Sequence, residues 1–114
     1  MSFLRSFWRQ RKVRQNELTE VQIGVDASAA EATGIDKNFV LSVEALGVGQ
    51  FLITLKERAF YDLHPYYLNV DGGIGTVDAV TGQTVTVSTT DYAGVAADLD
   101  FSLGLIWLYT NYIR

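Results

Sequence analysis

The stretch that most constrains this chain is residues 38–57, two alternating segments either side of a glycine-rich break. The first runs Asn38 to Ala45 and the second Gln50 to Glu57, with Leu46, Gly47, Val48 and Gly49 between them. Phe39, Leu41, Val43 and Ala45 fall on one face of the first segment, and Phe51, Ile53 and Leu55 on one face of the second. The opposite faces carry Ser42, Glu44, Thr54 and Lys56, with Val40 and Leu52 as apolar exceptions. Period-two alternation marks half-buried antiparallel strands. The glycines supply the backbone freedom that a tight reversal needs. A register with Val43 opposite Ile53 puts both apolar sets on one side, whereas a slip of one residue buries Glu44. The segment is a β-hairpin.

The rest of the chain follows the same logic. Leu18 to Val25 reads as a strand, with Val21, Ile23 and Val25 inward and Glu20, Gln22 and Gly24 outward. Asp26 to Asp36 has no large side chain before Ile35 and reads as a surface loop. Arg58 to Pro65, which contains the only proline, interrupts the pattern. A short strand is expected from Tyr66 to Val70, with Tyr66, Leu68 and Val70 on one side, and then a turn at Asp71, Gly72 and Gly73. Thr76 to Val80 and Gln83 to Thr89 form a second hairpin. Val77 placed opposite Val85 leaves a Val80–Thr81–Gly82 loop, with Gly82 in the left-handed position. Thr84, Thr86 and Ser88 line its outer face. After a small, acidic loop from Thr90 to Asp100 comes the longest strand, Phe101 to Tyr112. Phe101, Leu103, Leu105, Trp107 and Tyr109 share one face. Ile106 and Leu108 make the other partly apolar, as suits a central strand, a covered one or a subunit interface. Six to seven short strands without a long helix predict an all-β fold, an antiparallel β-sandwich or small jelly-roll-like barrel.

Charge divides the chain into residues 1–16, an N-terminal arm, and residues 17–114, the β domain. The arm holds Arg5, Arg9, Arg11, Lys12 and Arg14 and no acid, whereas the domain holds four basic and thirteen acidic side chains. Phe3, Leu4, Phe7 and Trp8 recur at helical spacing within the arm. Four large apolar side chains among cations suit an interface better than a free tail. Phe3, Leu4, Arg5, Phe7, Trp8, Arg9 and Arg11 are therefore the candidate partner-binding residues. The bland alternative is that the aromatics fold back on the core of their own chain.

Other chemistry is thin. The chain has no cysteine, which removes disulfides, iron–sulfur clusters and thiolate zinc sites. Its longest apolar run, Leu103 to Tyr109, is far short of the roughly 20 residues of a membrane helix. Arg5 and Arg9 interrupt any secretory signal, so a soluble intracellular or particle-associated protein is expected. His64 lies near Asp62 and Tyr61, but no activated nucleophile accompanies it, and a structural or exposed histidine is the better reading. Asp91, Asp98 and Asp100 match no calcium-loop spacing and read as turn residues. Gly72, Gly73 and Gly75 precede no helix that could hold a phosphate. Tyr61, Tyr66, Tyr67 and Tyr92 could stack sugars or bases, yet nucleic acid is disfavoured by the acidic domain, and packing is the default. No metal or cofactor is expected.

The run Phe39-Val40-Leu41-Ser42-Val43, then a glycine, then Phe51 to Glu57 resembles small structural proteins of tailed-bacteriophage virions. The second hairpin followed by Gly94 to Leu103 is similar to the closing half of such proteins. The similarity spans most of residues 36–109 and is carried by strand-and-turn patterns. It implies a non-enzymatic virion component of the cement or decoration type, which sits on a capsid lattice and staples neighbouring subunits. Such proteins are β-rich, commonly dimeric or trimeric, and often use a terminal arm as a clamp. The implied partners are the major capsid protein or other virion subunits, and the implied location is the virion. Competing readings are a tail- or fibre-associated component and a carbohydrate-binding module that uses Tyr61, Tyr66 and Tyr67. A hydrolase built on His64 is the weakest.

Overall fold

A computed structural model describes residues 16–56 and 61–110. Eight strands run in chain order: β1 (Asn16–Asp26), β2 (Glu31–Thr33), β3 (Val40–Gly47), β4 (Gln50–Leu55), β5 (Tyr61–Val70), β6 (Ile74–Val80), β7 (Thr84–Thr90) and β8 (Phe101–Thr110). A single turn of 3-10 helix at Lys37–Phe39 leads into β3. Two four-stranded antiparallel sheets result, ordered β2-β1-β8-β5 and β3-β4-β7-β6. They pack face to face as a β-sandwich. The sequence led to six or seven strands, and the structure has eight.

The core is built from one face of each sheet. Val21, Ile23, Val25, Phe101, Leu103 and Leu105 come from β1 and β8, and Phe51, Ile53, Leu55, Val85 and Val87 from β4 and β7. These four strands are central in their sheets, and their alternation is nearly perfect, because each must present one wholly apolar face to the other layer. The Phe51 and Phe101 rings meet across the layers at 5.6 Å, tilted by 54°. Trp107 closes one end of the core edge-on to Phe39, at 6.1 Å. Of the readings open for β8 (central, covered or at a subunit interface), its pairing shows the central one. It pairs with β1 through Val21↔Leu105 and Ile23↔Leu103, and with β5 through Leu68↔Leu103 and Val70↔Phe101.

The first hairpin has the expected pairing of Val43 with Ile53 and Ala45 with Phe51. Gly49 occupies its turn at φ +70°, and Asp98 accepts its N–H at 2.6 Å. Register shifts between Val40 and Ser42 and between Ala45 and Gly47 change the faces of β3. Val40 is buried and Leu41 is 61% exposed, the reverse of the expected pattern. A bulge adds one residue, and every side chain beyond it changes sides.

Four further readings are corrected. Residues 26–36 are not a plain loop, because Glu31–Thr33 pairs with Gly24–Asp26 as a hairpin. The interruption at Pro65 is not one, since β5 begins at Tyr61 and runs through the proline. Pro65 is tolerated there because β5 is an edge strand and its pairing shifts between Pro65 and Tyr67. In the second hairpin Val77 lies opposite Val87, not Val85, because the register shifts between Val77 and Ala79. Its turn is instead held by Thr81, whose hydroxyl accepts the Thr84 N–H at 2.9 Å, and Gly82 has no left-handed φ.

Candidate functional site

The outer face of the β2-β1-β8-β5 sheet carries the most developed surface feature. Cross-strand rows define it. Glu20, Ile106 and His64 form one row, Gln22, Gly104 and Tyr67 the next, and Thr33, Gly24, Ser102 and Asn69 a third. Small residues occupy the central strands at Gly24 and Ser102, and Gly104 lies beneath Tyr66. The relief is a shallow trough. One hollow of about 260 Å³ is lined by Gln22, Gly24, Thr33, Ile35, Tyr67 and Ser102, among others. A second, of about 380 Å³, shares Gly24, Thr33 and Ser102 with it and continues to Asp26, Asn69, Asp71 and Asp100.

Two tyrosines frame one end. The register shift after Pro65 inserts Tyr66 as an extra residue, so Tyr66 and Tyr67 both lie on the outer face. This corrects the expectation that Tyr66 shares a side with Leu68 and Val70, which face the core. Tyr66 reaches across β8 above Gly104, where an added Cβ would come within 2.8 Å of its ring. Its hydroxyl donates to Glu20 at 2.5 Å and accepts from Gln22 Nε2 at 3.5 Å, both on β1. The bond to Glu20 is the main reason that the phenol is held above its ordinary value near 10. The Tyr66 and Tyr67 rings lie 6.3 Å apart and 36° from parallel, and each stays more than two-fifths exposed.

The other candidates fall in different places. Phe3, Leu4, Arg5, Phe7, Trp8, Arg9 and Arg11 lie outside the described residues. His64 is exposed on β5 opposite Ile106. Tyr61 opens β5 opposite Leu108, and Tyr92 is 75% exposed on the loop before β8.

Each of the three loop aspartates accepts backbone N–H groups. Asp91 Oδ1 takes those of Ala93 and Val95, both at 2.9 Å. Asp98 holds Gly49, and Asp100 Oδ1 holds the Ala27 N–H at 2.8 Å. Asp91 closes a turn of its own loop, and Asp98 and Asp100 staple that loop to the turns after β3 and β1. Among the described residues no group of three or more His, Cys, Asp or Glu could hold a metal ion. Gly72 takes a left-handed φ in the turn before β6, so a strand follows it rather than a helix. No helix among the described residues is long and apolar enough to cross a membrane.

The trough residues Gln22, Thr33, Asn69 and Ser102 were missed from sequence. Outward Gly24 and the Gly104 that interrupts an otherwise bulky strand were the available signals. Compared with known proteins, the chain matches no family model, no curated protein and no solved structure.

Proposed function

We propose that this chain is a non-enzymatic structural component of a bacteriophage virion, which attaches to the capsid lattice as a cement or decoration protein. The observation that carries the reading is the segregation of charge. Residues 1–16 hold five cations and no acid, while residues 17–114 hold thirteen acids against four cations. A protein built so can lay its arm on an acidic neighbouring subunit while its own domain presents acid to the next arm. Repeated over a lattice, weak contacts of this kind sum to firm attachment. Edge strands that are short or broken by register shifts direct such contacts to arm, loops and faces. The partners are then the major capsid protein or other virion subunits, and the protein itself works as a dimer or trimer.

The test is co-sedimentation of the purified full-length chain with empty capsid shells and, separately, with isolated tails from phage particles encoding it. Capsid attachment predicts saturable binding to shells, with a stoichiometry that follows lattice symmetry. Binding to tails alone moves the assignment to a tail or fibre component. A chain that stays in the supernatant with both is no virion structural protein.

A further inference from the structure

We propose that the trough on the outer face of the β2-β1-β8-β5 sheet is a binding site for a neutral oligosaccharide, separate from whatever the arm contacts. Four features lead there. The first is shape. The two hollows of about 260 and 380 Å³ adjoin at Gly24, Thr33 and Ser102, which line both, and together they reach the scale of small-ligand sites, roughly 300–1,000 Å³. An open channel along a sheet suits a chain molecule better than a compact one.

The second is the aromatic end. Exposed tyrosine rings offer electron-rich faces to the C–H groups on the flat side of a sugar ring. Tyr67 lines the smaller hollow, and beside it Tyr66, tethered at its hydroxyl to β1 and resting on Gly104, holds a neighbouring ring in place before a ligand arrives. Such pre-organisation lowers the entropic cost of binding.

Third, hydroxyls, amides and carboxylates recur along the channel at Gln22, Thr33, Ser102, Asn69, Asp71 and Asp26. Asp26 uses Oδ1 for the Ser28 and Ala29 groups and keeps a second oxygen for other donors. Backbone groups of the paired strands are already spent on the sheet, so a ligand here is read by side chains. A polyol, with many donors and acceptors on an apolar ring frame, matches that surface.

The fourth is charge. Among the described residues no basic side chain lines either hollow, while Asp26, Asp71 and Asp100 line the larger one. Phosphates, nucleic acids and uronate or sialate glycans are therefore repelled, and a neutral glycan is selected.

The experiment is an NMR titration of the full-length, ¹⁵N-labelled chain, whose readout extends to millimolar affinity. The probes are neutral oligomers of glucose, galactose, mannose and N-acetylglucosamine, with heparin and hyaluronan fragments as the anionic arm. At least one neutral oligomer should shift the amides of Gly24, Ser102 and Asn69, and the anionic fragments should not. Tyr67→Ala should weaken that binding about tenfold or more, and Ser102→Trp, which fills the channel floor, should abolish it. Tyr92→Ala, outside the trough, should leave it unchanged. Because Tyr67 and Ser102 are surface positions, an unchanged melting temperature in each variant separates loss of the site from loss of the fold. The proposal is overturned if no neutral oligomer binds, if anionic fragments bind better, or if Tyr67→Ala and Ser102→Trp bind as the parent does.

Discussion

Gly49 joins three backbone demands at one residue: a φ of +70°, an N–H given to Asp98, and a carbonyl that accepts the Thr89 N–H at 2.7 Å. A Cβ there would press on the backbone of Thr89 and Ala97, neither of which can move without disturbing β7. Gly49→Ala should therefore cost roughly 2–3 kcal/mol in urea unfolding, and a loss under about 0.5 would refute this account. Because Asp91, Asp98 and Asp100 are committed to backbone N–H groups, chelator should leave the melting temperature unchanged. A fall of several degrees would mean that a cation had been holding them. Two titrations have opposite signs. Asp26 lies below its ordinary value of 3.8, chiefly because the Ser28 hydroxyl donates to it. Its stabilisation is complete above the unfolded value and is lost as pH falls through the folded one. Tyr66 lies above its ordinary value, so its bond to Glu20 stabilises fully below pH 10 and is lost as pH rises through the folded value. In an absorbance titration, Tyr66→Phe should remove a component that ionises above the ordinary tyrosine value of 10. An unchanged curve would contradict the tether.

The bulges of individual strands decide which side chains do what, and β3 gives the sharpest test. Val40 is buried and Leu41 exposed, although simple alternation from Phe39 gives the opposite. Val40→Ala should thus lower stability by about 1–3 kcal/mol and Leu41→Ala by less than about 0.5, measured by denaturant unfolding. Equal losses would mean that no register shift exists there. The same comparison shows what was legible in the sequence. Central strands β4, β7 and β8 alternate without interruption, because both neighbours fix their register, and the pairing of Val43 with Ile53 followed directly. Edge strands escaped. A bulge has no composition signature, so the shift that carries Tyr66 to the outer face beside Tyr67 was invisible. β2 is three small or polar residues, and only its pairing with Gly24–Asp26 makes it a strand. Pro65 read as a break because a proline cannot continue a central ladder, yet it fits an edge strand at a bulge. The central small residues Gly24 and Ser102 were on the page as letters. What made them a channel floor was the juxtaposition of β1 and β8, which lie some eighty residues apart in the chain.

For the whole molecule, the edges govern how it can assemble. β2 is only three residues long, β5 carries Pro65 and two register shifts, β3 has two shifts and β6 one. All four edges of the described sandwich are thus poor templates for strand addition, and attachment falls to the arm, the loops or the sheet faces. The arm has the stronger claim. Leaving Phe7 and Trp8 in water forgoes roughly 1.5–3 kcal/mol for each side chain, a strong drive toward a pocket on a neighbour. Arg5, Arg9 and Arg11 around them suit carboxylates at the rim of that pocket, since guanidinium pairs with carboxylate through a planar fork. Deletion of residues 1–16 should leave the sandwich folded with a cooperative unfolding transition, because the described core residues lie at or after Val21. The same deletion should weaken attachment to capsid shells by at least about a hundredfold, the worth of two buried aromatics. Salt separates the two contributions. Between low and near-molar salt the full-length chain should lose affinity as its rim charges are screened, while residual binding of the truncated chain should hardly change. If the truncated chain binds shells as tightly as the parent at both salt concentrations, the arm is a bystander. The contact must then lie on the domain, and the outer face of β8 around the half-buried Ile106 is the place to look for it.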